Sequence, residues 1–536
     1  MSSLSSRSTD LGAPSSVRSG TVFLISSDGK ILNLPIPSDS RYDPLNWSTR
    51  KRALALLSIV VYSLVGLVLP QGAGLTTNGL QIEFAGKLTK PFGIDVIISG
   101  PTFFMGIGAF IWIPLSLWLG RRPVFVAGSV MMLLGTLAAA FATNYATLLI
   151  AVCVLGLTEG FSLSAGLLII IDLTFIHQRP NAIAMLWSII GFLGVSSLVT
   201  VPFLTNNGLN WRGFYRFWAF PAAVSCLLAF FLFPETFYKR PAVAFDGRLI
   251  VQSAEEDVII YDDPKEDVLD KLLPVDPERS WGRRFLELFT LPRAAAGRWR
   301  ATGRCYIQVL FCFANPLIFW VALLNAMSFA GMIFIGETYN EVLSKPPYQL
   351  PSHLIMFVNV CSGTGSLLSG LAQGPLMTRL MKSLTMRNKG VREAEHYLIM
   401  FILPVLTGAA STWIYGMATQ LRWSAAFVYL AYGLNGFNFA GLAIANTLWV
   451  TEAFPPWAAP ALVVVGDGSY VLSFSLSFAL VPWIQSQGML KVGFELAAAQ
   501  LGLGLIVIPL AFWGKGARQY IHGRWGEGRD GALRPQ

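Results

Sequence analysis

The chain has 536 residues, of which 54% are hydrophobic and 13% are charged, and its formal net charge is +9. Ordinary soluble proteins carry about 25% charged residues, so the composition excludes a row of soluble domains and indicates a protein that has lipid as part of its solvent. The basic residues lie in short hydrophilic connectors and not on one clustered face, so we expect no nucleic-acid partner.

The amino-terminal segment, residues 1–51, is predicted to be a disordered tail on the cytoplasmic side. Its beginning is rich in Ser and Thr and has no apolar run of the kind that a secretory signal needs, so the first span is expected to act as the insertion signal. Five cysteines occur without a CxxC pair, and the sequence therefore predicts neither a disulfide framework nor a metal site.

Twelve segments are long and apolar enough to cross a bilayer, which takes about 20 residues for about 30 Å of hydrocarbon. Hydrophilic residues 235–308 divide them into six and six. The predicted fold class is all-α: a polytopic membrane protein with twelve transmembrane helices in two six-helix bundles, residues 52–234 and 309–513. The predicted spans are 52–72, 94–118, 123–142, 147–171, 182–204, 214–234, 309–334, 352–376, 397–418, 424–450, 460–484 and 493–513.

The distribution of basic residues predicts that both termini lie in the cytoplasm. With the amino terminus inside, 32 of the 39 Lys and Arg residues fall on the cytoplasmic side and 7 on the outer side, and within the predicted bounds only Arg52 and Arg216 lie in a span, each within its first three residues. Basic residues favour the cytoplasmic side of membranes. Residues 235–308 are then a cytoplasmic loop, interpreted as a solvated linker on the anionic lipid surface, and residues 514–536 are a cytoplasmic tail.

Short motifs along the chain resemble those of a fungal branch of the major facilitator superfamily that exports drugs and metabolites. The motifs are Asp43-Pro44-Leu45-Asn46-Trp47-Ser48, Gly120-Arg121-Arg122-Pro123, Asp172 to Arg179, Trp211-Arg212-Gly213-Phe214-Tyr215 and Pro234-Glu235-Thr236. The resemblance implies two bundles related by an axis along the membrane normal. It also implies that Arg121 and Arg122 hold the cytoplasmic ends of the bundles together in the outward-facing state.

Two departures from the family pattern bear on proton coupling. The loop motif G-x-L-a-D-R-x-G-R-R has an acidic residue that is missing here, within Leu117-Trp118-Leu119. The span-five signature G-P-x-x-G-G of proton-coupled exporters is also absent, although Gly191 and Gly194 are present. Whether transport is coupled to protons therefore stays open.

Acidic residues within or at the ends of spans are the first site candidates, because an ionised side chain at mid-bilayer costs about 2.5–3.5 kcal/mol. Glu159 in span four and Asp467 in span eleven are candidates for proton coupling or cation binding, with a hydrogen-bonded structural role as the alternative for each. Since no Lys or Arg lies deep within a predicted span, Glu159 is expected to be neutral or paired with a cationic substrate.

A cytoplasmic gate is predicted where span four ends. Asp172 lies near Arg179 in sequence, and we expect an ionic latch that also involves the loop after span two. Breaking such a latch would shift the equilibrium between conformers. The predicted gate residues are Gly120, Arg121, Arg122, Asp172 and Arg179.

Polar side chains on the second bundle are the candidates for substrate binding. Asn435, Asn438 and Asn446 fall within about 80° of one another on span ten, given about 100° per residue in a helix. Asn325 and Ser328 form a shorter polar face on span seven. The substrate-binding candidates are Asn325, Ser328, Asn435 and Asn438, and hydrogen bonds between helices are the alternative interpretation.

The sequence predicts a transporter and not an enzyme, with no cofactor. It contains no GxxxxGK[ST] loop for ATP, and its four histidines are dispersed, with no ligand spacing. We expect a secondary active transporter that exports a small organic compound (a drug, toxin or secondary metabolite) by alternating access. An importer of a nutrient or polyamine-like cationic amine stays open as an alternative, and a non-transporting membrane sensor as a remote one. The expected partners are a small-molecule substrate and the lipid bilayer, with protons left open. A monomer is expected, and the plasma membrane is favoured over the vacuolar membrane, which stays open as an alternative.

Overall fold

The computed structural model describes residues 21–23, 43–84, 93–94, 96–206, 209–238, 243–245, 248–252, 258–262, 298–388, 391–454 and 457–525. These residues include twelve helical segments long and apolar enough to cross a membrane, which confirms the predicted fold class. The spans are Thr49–Gly74, Val96–Leu119, Arg121–Ala140, Tyr145–Leu173, Arg179–Leu204, Trp211–Phe231, Pro316–Ser344, Ser352–Arg387, Ala394–Gln420, Ala425–Ala453, Ala458–Leu476 and Met489–Ile521. The helices of the last two spans continue to Gln487 and Trp525.

Polar side chains fix where several spans begin. The Ser48 hydroxyl accepts a hydrogen bond from the Lys51 N–H at 3.4 Å, at the start of span one. The Asn144 side chain accepts one from the Thr147 N–H at 2.7 Å, at the start of span four. Such caps satisfy N–H groups that have no partner within the helix. Hydropathy alone leaves these boundaries uncertain by a few residues, and the caps define them.

Span seven lies later in the chain than predicted, at Pro316–Ser344 and not 309–334. Asn315 caps this helix through the Leu317 N–H, and Pro316 occupies its first turn, so the preceding residues Arg298–Ala314 form a separate helix. We call that segment the connecting helix. At its other end, span seven continues past Glu337 and Glu341. The side chains of these two residues line a cavity. Because both residues are acidic, the apolar run that predicted the span ends before them.

The connecting helix is attached to span two of the other half. Pro114 has no N–H, so the carbonyl of Phe110, four residues earlier, lacks its usual partner within the helix. The Tyr306 hydroxyl donates a hydrogen bond to that carbonyl at 2.9 Å. The Thr302 hydroxyl donates to the Pro114 carbonyl at 3.2 Å. A segment that precedes the second bundle in sequence therefore packs on the first.

Glycines allow the equivalent pair of spans in each half to approach closely. In the first half, a Cβ at Gly108 of span two would lie 2.9 Å from the Gly160 Cα of span four. In the second half, a Cβ at Gly365 of span eight would lie 1.9 Å from the Gly433 carbonyl oxygen of span ten. Close approach through small residues is a common mode of helix packing in membranes. Corresponding pairs of spans in the two halves therefore both approach each other closely at glycines.

Spans five and eight pack against each other across the two halves, and each contains a stretch of π-helix. These stretches are Ile190–Val195 and Ala372–Leu376. A Cβ at Gly191 would lie 2.5 Å from the Ser366 Cβ, so this glycine permits the contact. Span eleven has a third π stretch, Val463–Gly468, and span four is interrupted at Ser164. Such irregular turns are frequent at functional positions.

Short strands lie outside the spans. Thr21–Phe23 (β1) pairs antiparallel with Val391–Glu393 (β5), so this part of the predicted disordered tail is ordered. The rest of the tail up to residue 42 lies outside the described residues. In the segment of the sequence that joins the two halves, strands β2 (Val243–Phe245), β3 (Arg248–Gln252) and β4 (Val258–Asp262) form an antiparallel sheet.

Candidate functional site

A cavity of about 620 Å³ lies between the two halves of the protein. Spans one, two, four and five line it from the first half, and spans seven, eight, ten and eleven line it from the second. Its wall runs from Glu159, which is 3% exposed, to Glu341, whose side chain is 68% exposed. The cavity therefore reaches the surface at the end of the molecule where span seven finishes, which we call the open end.

The opposite end, which we call the latch end, is closed by contacts between the halves. The Arg179 Nη1 of span five lies 3.1 Å from the Glu452 Oε1 of span ten, and both side chains are at most 5% exposed. Beside this ion pair, the Thr378 hydroxyl donates a hydrogen bond to the Asn181 side-chain oxygen at 3.1 Å. Sequence reasoning identified Arg179 but not its partner Glu452.

The two arginines of the loop motif make their contacts within the first half. Arg121 Nε lies 3.2 Å from Asp172 Oδ2, and its Nη1 donates to the Ser116 hydroxyl at 2.7 Å. Arg122 Nη2 donates to the Phe230 carbonyl at 2.8 Å. The bundle-joining role that the resemblance implies for Arg121 and Arg122 is therefore not seen in these contacts, and the Arg179–Glu452 pair makes such a contact instead.

Glu235 supplies a carboxylate at the start of span three. It accepts hydrogen bonds from the backbone N–H groups of Arg121 at 2.9 Å and Arg122 at 3.2 Å. Burial raises the pKa of Glu235, and hydrogen bonds from the Phe237, Arg121 and Arg122 N–H groups offset part of that rise. Gly120 has φ +98°, and a Cβ there would lie 2.7 Å from the Glu235 Oε2. The glycine of the motif is thus required by the backbone and by this carboxylate.

Glu159 lies in span four on the wall of the cavity. The Tyr62 hydroxyl donates to the neighbouring Thr158 carbonyl at 2.7 Å, which joins span one to this turn. In the described part of the chain, no side chain forms a hydrogen bond or an ion pair with the Glu159 carboxylate. A buried carboxyl group without such a partner is expected to be protonated or paired with a cation.

Asp467, the other candidate for coupling or cation binding, lies in the π stretch of span eleven. Its side chain lies outside the described residues, so its role stays a prediction. A Cβ at the adjacent Gly466 would lie 3.4 Å from the Leu163 carbonyl oxygen of span four. Spans four and eleven therefore approach each other closely beside Asp467.

The polar residues of spans seven and ten form hydrogen bonds between helices. The Asn438 amide donates to the Ser328 hydroxyl at 2.7 Å and accepts from Gln500 at 2.8 Å. The Asn446 amide donates to the Asn325 side-chain oxygen at 3.0 Å. All four predicted substrate-binding residues are at most 8% exposed, and none is part of the described lining of the 620 Å³ cavity. This arrangement favours the alternative of hydrogen bonds that hold helices together.

Asn435 differs from these neighbours. It is 1% exposed, and its amide has no hydrogen-bond partner among the described residues. Its Nδ2 would lie 3.5 Å from a Cβ at Gly331 of span seven.

The cavity wall contains polar and aromatic residues that sequence reasoning missed or left unassigned. Glu337 and Glu341 lie beyond the predicted end of span seven at residue 334, so the sequence did not place them in a span or in a site. Tyr470 lies one turn after Gly466 in span eleven, within an apolar segment that gives no signal for a site. The polar and aromatic residues of the wall beyond Glu159, Glu337 and Glu341 include Gln71, Thr102, Phe329, Tyr339, Asn340, Asn359, Tyr432, Phe439 and Tyr470.

Comparison with known proteins gives the family. Residues 53–461 match the family model described as Major Facilitator Superfamily. The chain belongs to the major facilitator superfamily. In this superfamily two bundles carry a site between them. The 620 Å³ cavity of this chain is likewise lined by spans from both halves.

Several relatives that match over nearly the whole chain come from fungi. An uncharacterized MFS-type transporter of Schizosaccharomyces pombe is 22% identical, over 93% of this chain and 90% of the relative. Protein HOL1 of Saccharomyces cerevisiae is 21% identical, over 93% and 92%. Efflux pump radE of Floropilus chiversii is 23% identical, over 93% and 86%. Among solved structures, the proton:xylose symporter XylE has a TM-score of 0.55 at 13% identity, covering 88% of this chain and 100% of that chain, which shows the shared fold.

Proposed function

We propose that the protein is a secondary active transporter that carries a small organic compound across the membrane by alternating access. The observation that carries this proposal is the 620 Å³ cavity between the halves, open at one end and closed at the other by the buried Arg179–Glu452 ion pair. Separation of that pair would allow the halves to rock and expose the cavity at the latch end. The gate would then consist of Arg179 and Glu452, with Gly120, Arg121, Arg122 and Asp172 supporting it.

We propose that the latch end faces the cytoplasm and that both termini lie there. The excess of basic residues in the connectors at that end supports this orientation. The cavity would then open to the outside, and the protein would be an outward-facing monomer in the plasma membrane. Export is the proposed direction, because radE, which matches over 93% of this chain, is named an efflux pump.

Protons are the proposed energy source, and Glu159 is the proposed coupling residue. Each proton supplies about 1.4 kcal/mol per pH unit and about 2.3 kcal/mol per 100 mV. Two pH units and 100 mV therefore supply about 5 kcal/mol, enough for accumulation of a neutral solute by several thousandfold. The isolated carboxyl group of Glu159, at the wall of the cavity, supports this role.

A second candidate function is import of a cationic amine. Glu159, Glu337 and Glu341 line the cavity, and its described lining includes no Lys, Arg or His. Import and export use the same site and differ in the direction of net flux. Polyamine-like amines and larger organic cations both fit a cavity with this charge.

Untargeted metabolite analysis of cells with and without the protein identifies the compound and the direction of transport. Export lowers the level of the compound inside producing cells, whereas import raises it. The identified compound is then tested in proteoliposomes under a pH gradient. Glu159→Gln should abolish pH-driven movement. Glu495→Gln is the matched control, because Glu495 is an exposed carboxylate on span twelve and is not part of the described cavity lining, and it should retain that movement. Unchanged pH dependence in Glu159→Gln would exclude Glu159 as the coupling residue.

A further inference from the structure

We infer that the cavity binds a lipophilic organic cation at a two-part site, with the Glu159 carboxylate on one side and an aromatic cluster on the other. The aromatic cluster consists of Phe329, Phe439 and Tyr470. The inference rests on the proposed transport function and names the class of substrate. The carboxylate belongs to the first half and the aromatic cluster to the second, so the substrate would contact both moving bodies.

The rings of the aromatic cluster pack on one another at the cavity wall. The ring centroids of Phe329 and Tyr470 lie 4.5 Å apart, with an angle of 84° between the ring planes. Those of Phe329 and Phe439 lie 6.1 Å apart. All three residues line the 620 Å³ cavity. Aromatic faces carry partial negative charge and bind alkylated ammonium groups, which lose little hydration on binding.

Helix geometry puts Glu159 and Tyr470 at the same depth. Span four runs from the open end to the latch end, and span eleven runs the opposite way. A Cβ at Gly466 would lie 3.4 Å from the Leu163 carbonyl oxygen, so these two residues mark one level. One helical turn toward the open end, about 5.4 Å, leads from Leu163 to Glu159 and from Gly466 to Tyr470. The carboxylate and the aromatic cluster thus occupy the same level on facing helices, and both line the cavity.

The charge of the cavity selects for cations. Glu337, half-buried on span seven, adds a second carboxylate to the wall. Since no basic residue is part of the described lining, the charged groups that an anion would meet there are all acidic, while a cation would neutralise Glu159. Apolar wall residues such as Met105, Met332 and Ile333 would contact the hydrocarbon part of the ligand. The cation and a proton would therefore compete for one carboxylate, so binding of the cation releases the proton.

The test is a binding measurement on the purified full chain in detergent, with radiolabelled benzyltrimethylammonium as the probe. Its neutral isostere, in which carbon replaces nitrogen, is the competitor. We expect saturable binding of the cation at pH 8 and no competition by the isostere. Glu159→Gln should weaken binding at least tenfold, and Tyr470→Leu at least fivefold. Glu495→Gln should change it less than twofold, because Glu495 is exposed on span twelve, accepts a hydrogen bond from the Trp483 ring N–H and is not part of the described cavity lining.

Two further measurements distinguish loss of the binding site from loss of folding. Binding to the unaltered protein should weaken as the pH falls from 8 to 5.5. Glu159→Gln should remove most of that pH dependence, and any remainder belongs to Glu337, the second carboxylate of the wall. Phe439→Leu, a milder change in the aromatic cluster, should weaken binding in the same direction as Tyr470→Leu. Equal competition by the neutral isostere, or unchanged affinity in Glu159→Gln, would overturn the inference. Alternating access is measured independently by cross-linking the latch end, so failure of this site leaves that proposal intact.

Discussion

Gly120 illustrates how a single residue of a recognisable motif can be required by the backbone. Its φ of +98° lies in the region that favours glycine, and the Glu235 carboxylate occupies the space in which a side chain would start. The same carboxylate accepts the first N–H groups of span three. The motif that suggested a family therefore also has a local structural explanation.

Replacement of Gly120 by Ala should destabilise the protein by about 1–3 kcal/mol, because the new Cβ is strained by the backbone and displaces Glu235. Thermal unfolding of the purified protein in detergent measures the effect. Gly502→Ala is the control, since a Cβ at Gly502 of span twelve meets nothing within 4 Å, and its melting temperature should stay unchanged. Equal melting temperatures for the two variants would contradict this explanation.

Among single residues, the sequence identifies a residue whose type is rare within an apolar span, and it does not identify one that lies where its type is ordinary. Glu159 was found because a carboxyl group in the middle of an apolar span is costly. Glu452 was missed because it lies at the end of a span, where acidic residues are ordinary, and its partner Arg179 is 273 residues away in sequence. Long-range pairing of this kind has no local signal.

At the scale of elements, hydropathy assigns the end of the connecting helix to span seven, which is wrong. The last residues of this helix, among them the fully buried Cys312, fall within the predicted span seven, 309–334. The cap at Asn315 and the proline after it are the local signals that separate the two helices. The number and order of spans were predictable from apolar length, whereas this boundary depended on capping.

Tyr306 should stabilise the contact between the connecting helix and span two. Tyr306→Phe should lower the free energy of unfolding by about 0.5–1.5 kcal/mol, because it leaves the Phe110 carbonyl without a donor. In a Pro114→Ala background, the restored N–H of residue 114 can bond that carbonyl, so the same change should have little effect. Unfolding of the four proteins in a double-mutant cycle measures this coupling. Equal losses in both backgrounds would show that the carbonyl freed by Pro114 is not the reason for the contact.

For the molecule as a whole, the closed latch end and the open cavity define one conformer. The glycine-rich contact between spans five and eight and the buried Arg179–Glu452 pair both lie between the halves. A buried ion pair costs much desolvation, and its separation becomes favourable when water reaches both groups. The sequence predicted two halves and a latch, but it could not predict which conformer the chain adopts, because that depends on contacts summed over both halves.

A disulfide between Cys residues at positions 181 and 378 should lock this conformer. The side-chain oxygens of Asn181 and Thr378 lie 3.1 Å apart across the latch end, and the five native cysteines would first be replaced. We expect oxidation to stop transport of the compound identified by metabolite analysis and reduction to restore it. Binding of benzyltrimethylammonium from the open end should persist in the locked protein. The single variant Asn181→Cys is the control, and full transport by the cross-linked protein would exclude opening at this end.

The size of the cavity has an osmotic consequence. At about 30 Å³ per molecule, a volume of about 620 Å³ holds at least about 20 waters when no substrate is bound. Each empty return of the carrier would release that water on one side and collect it on the other. An impermeant osmolyte that withdraws water from one compartment would therefore disfavour the conformer open to it, and turnover would depend on hydration as well as on ion gradients.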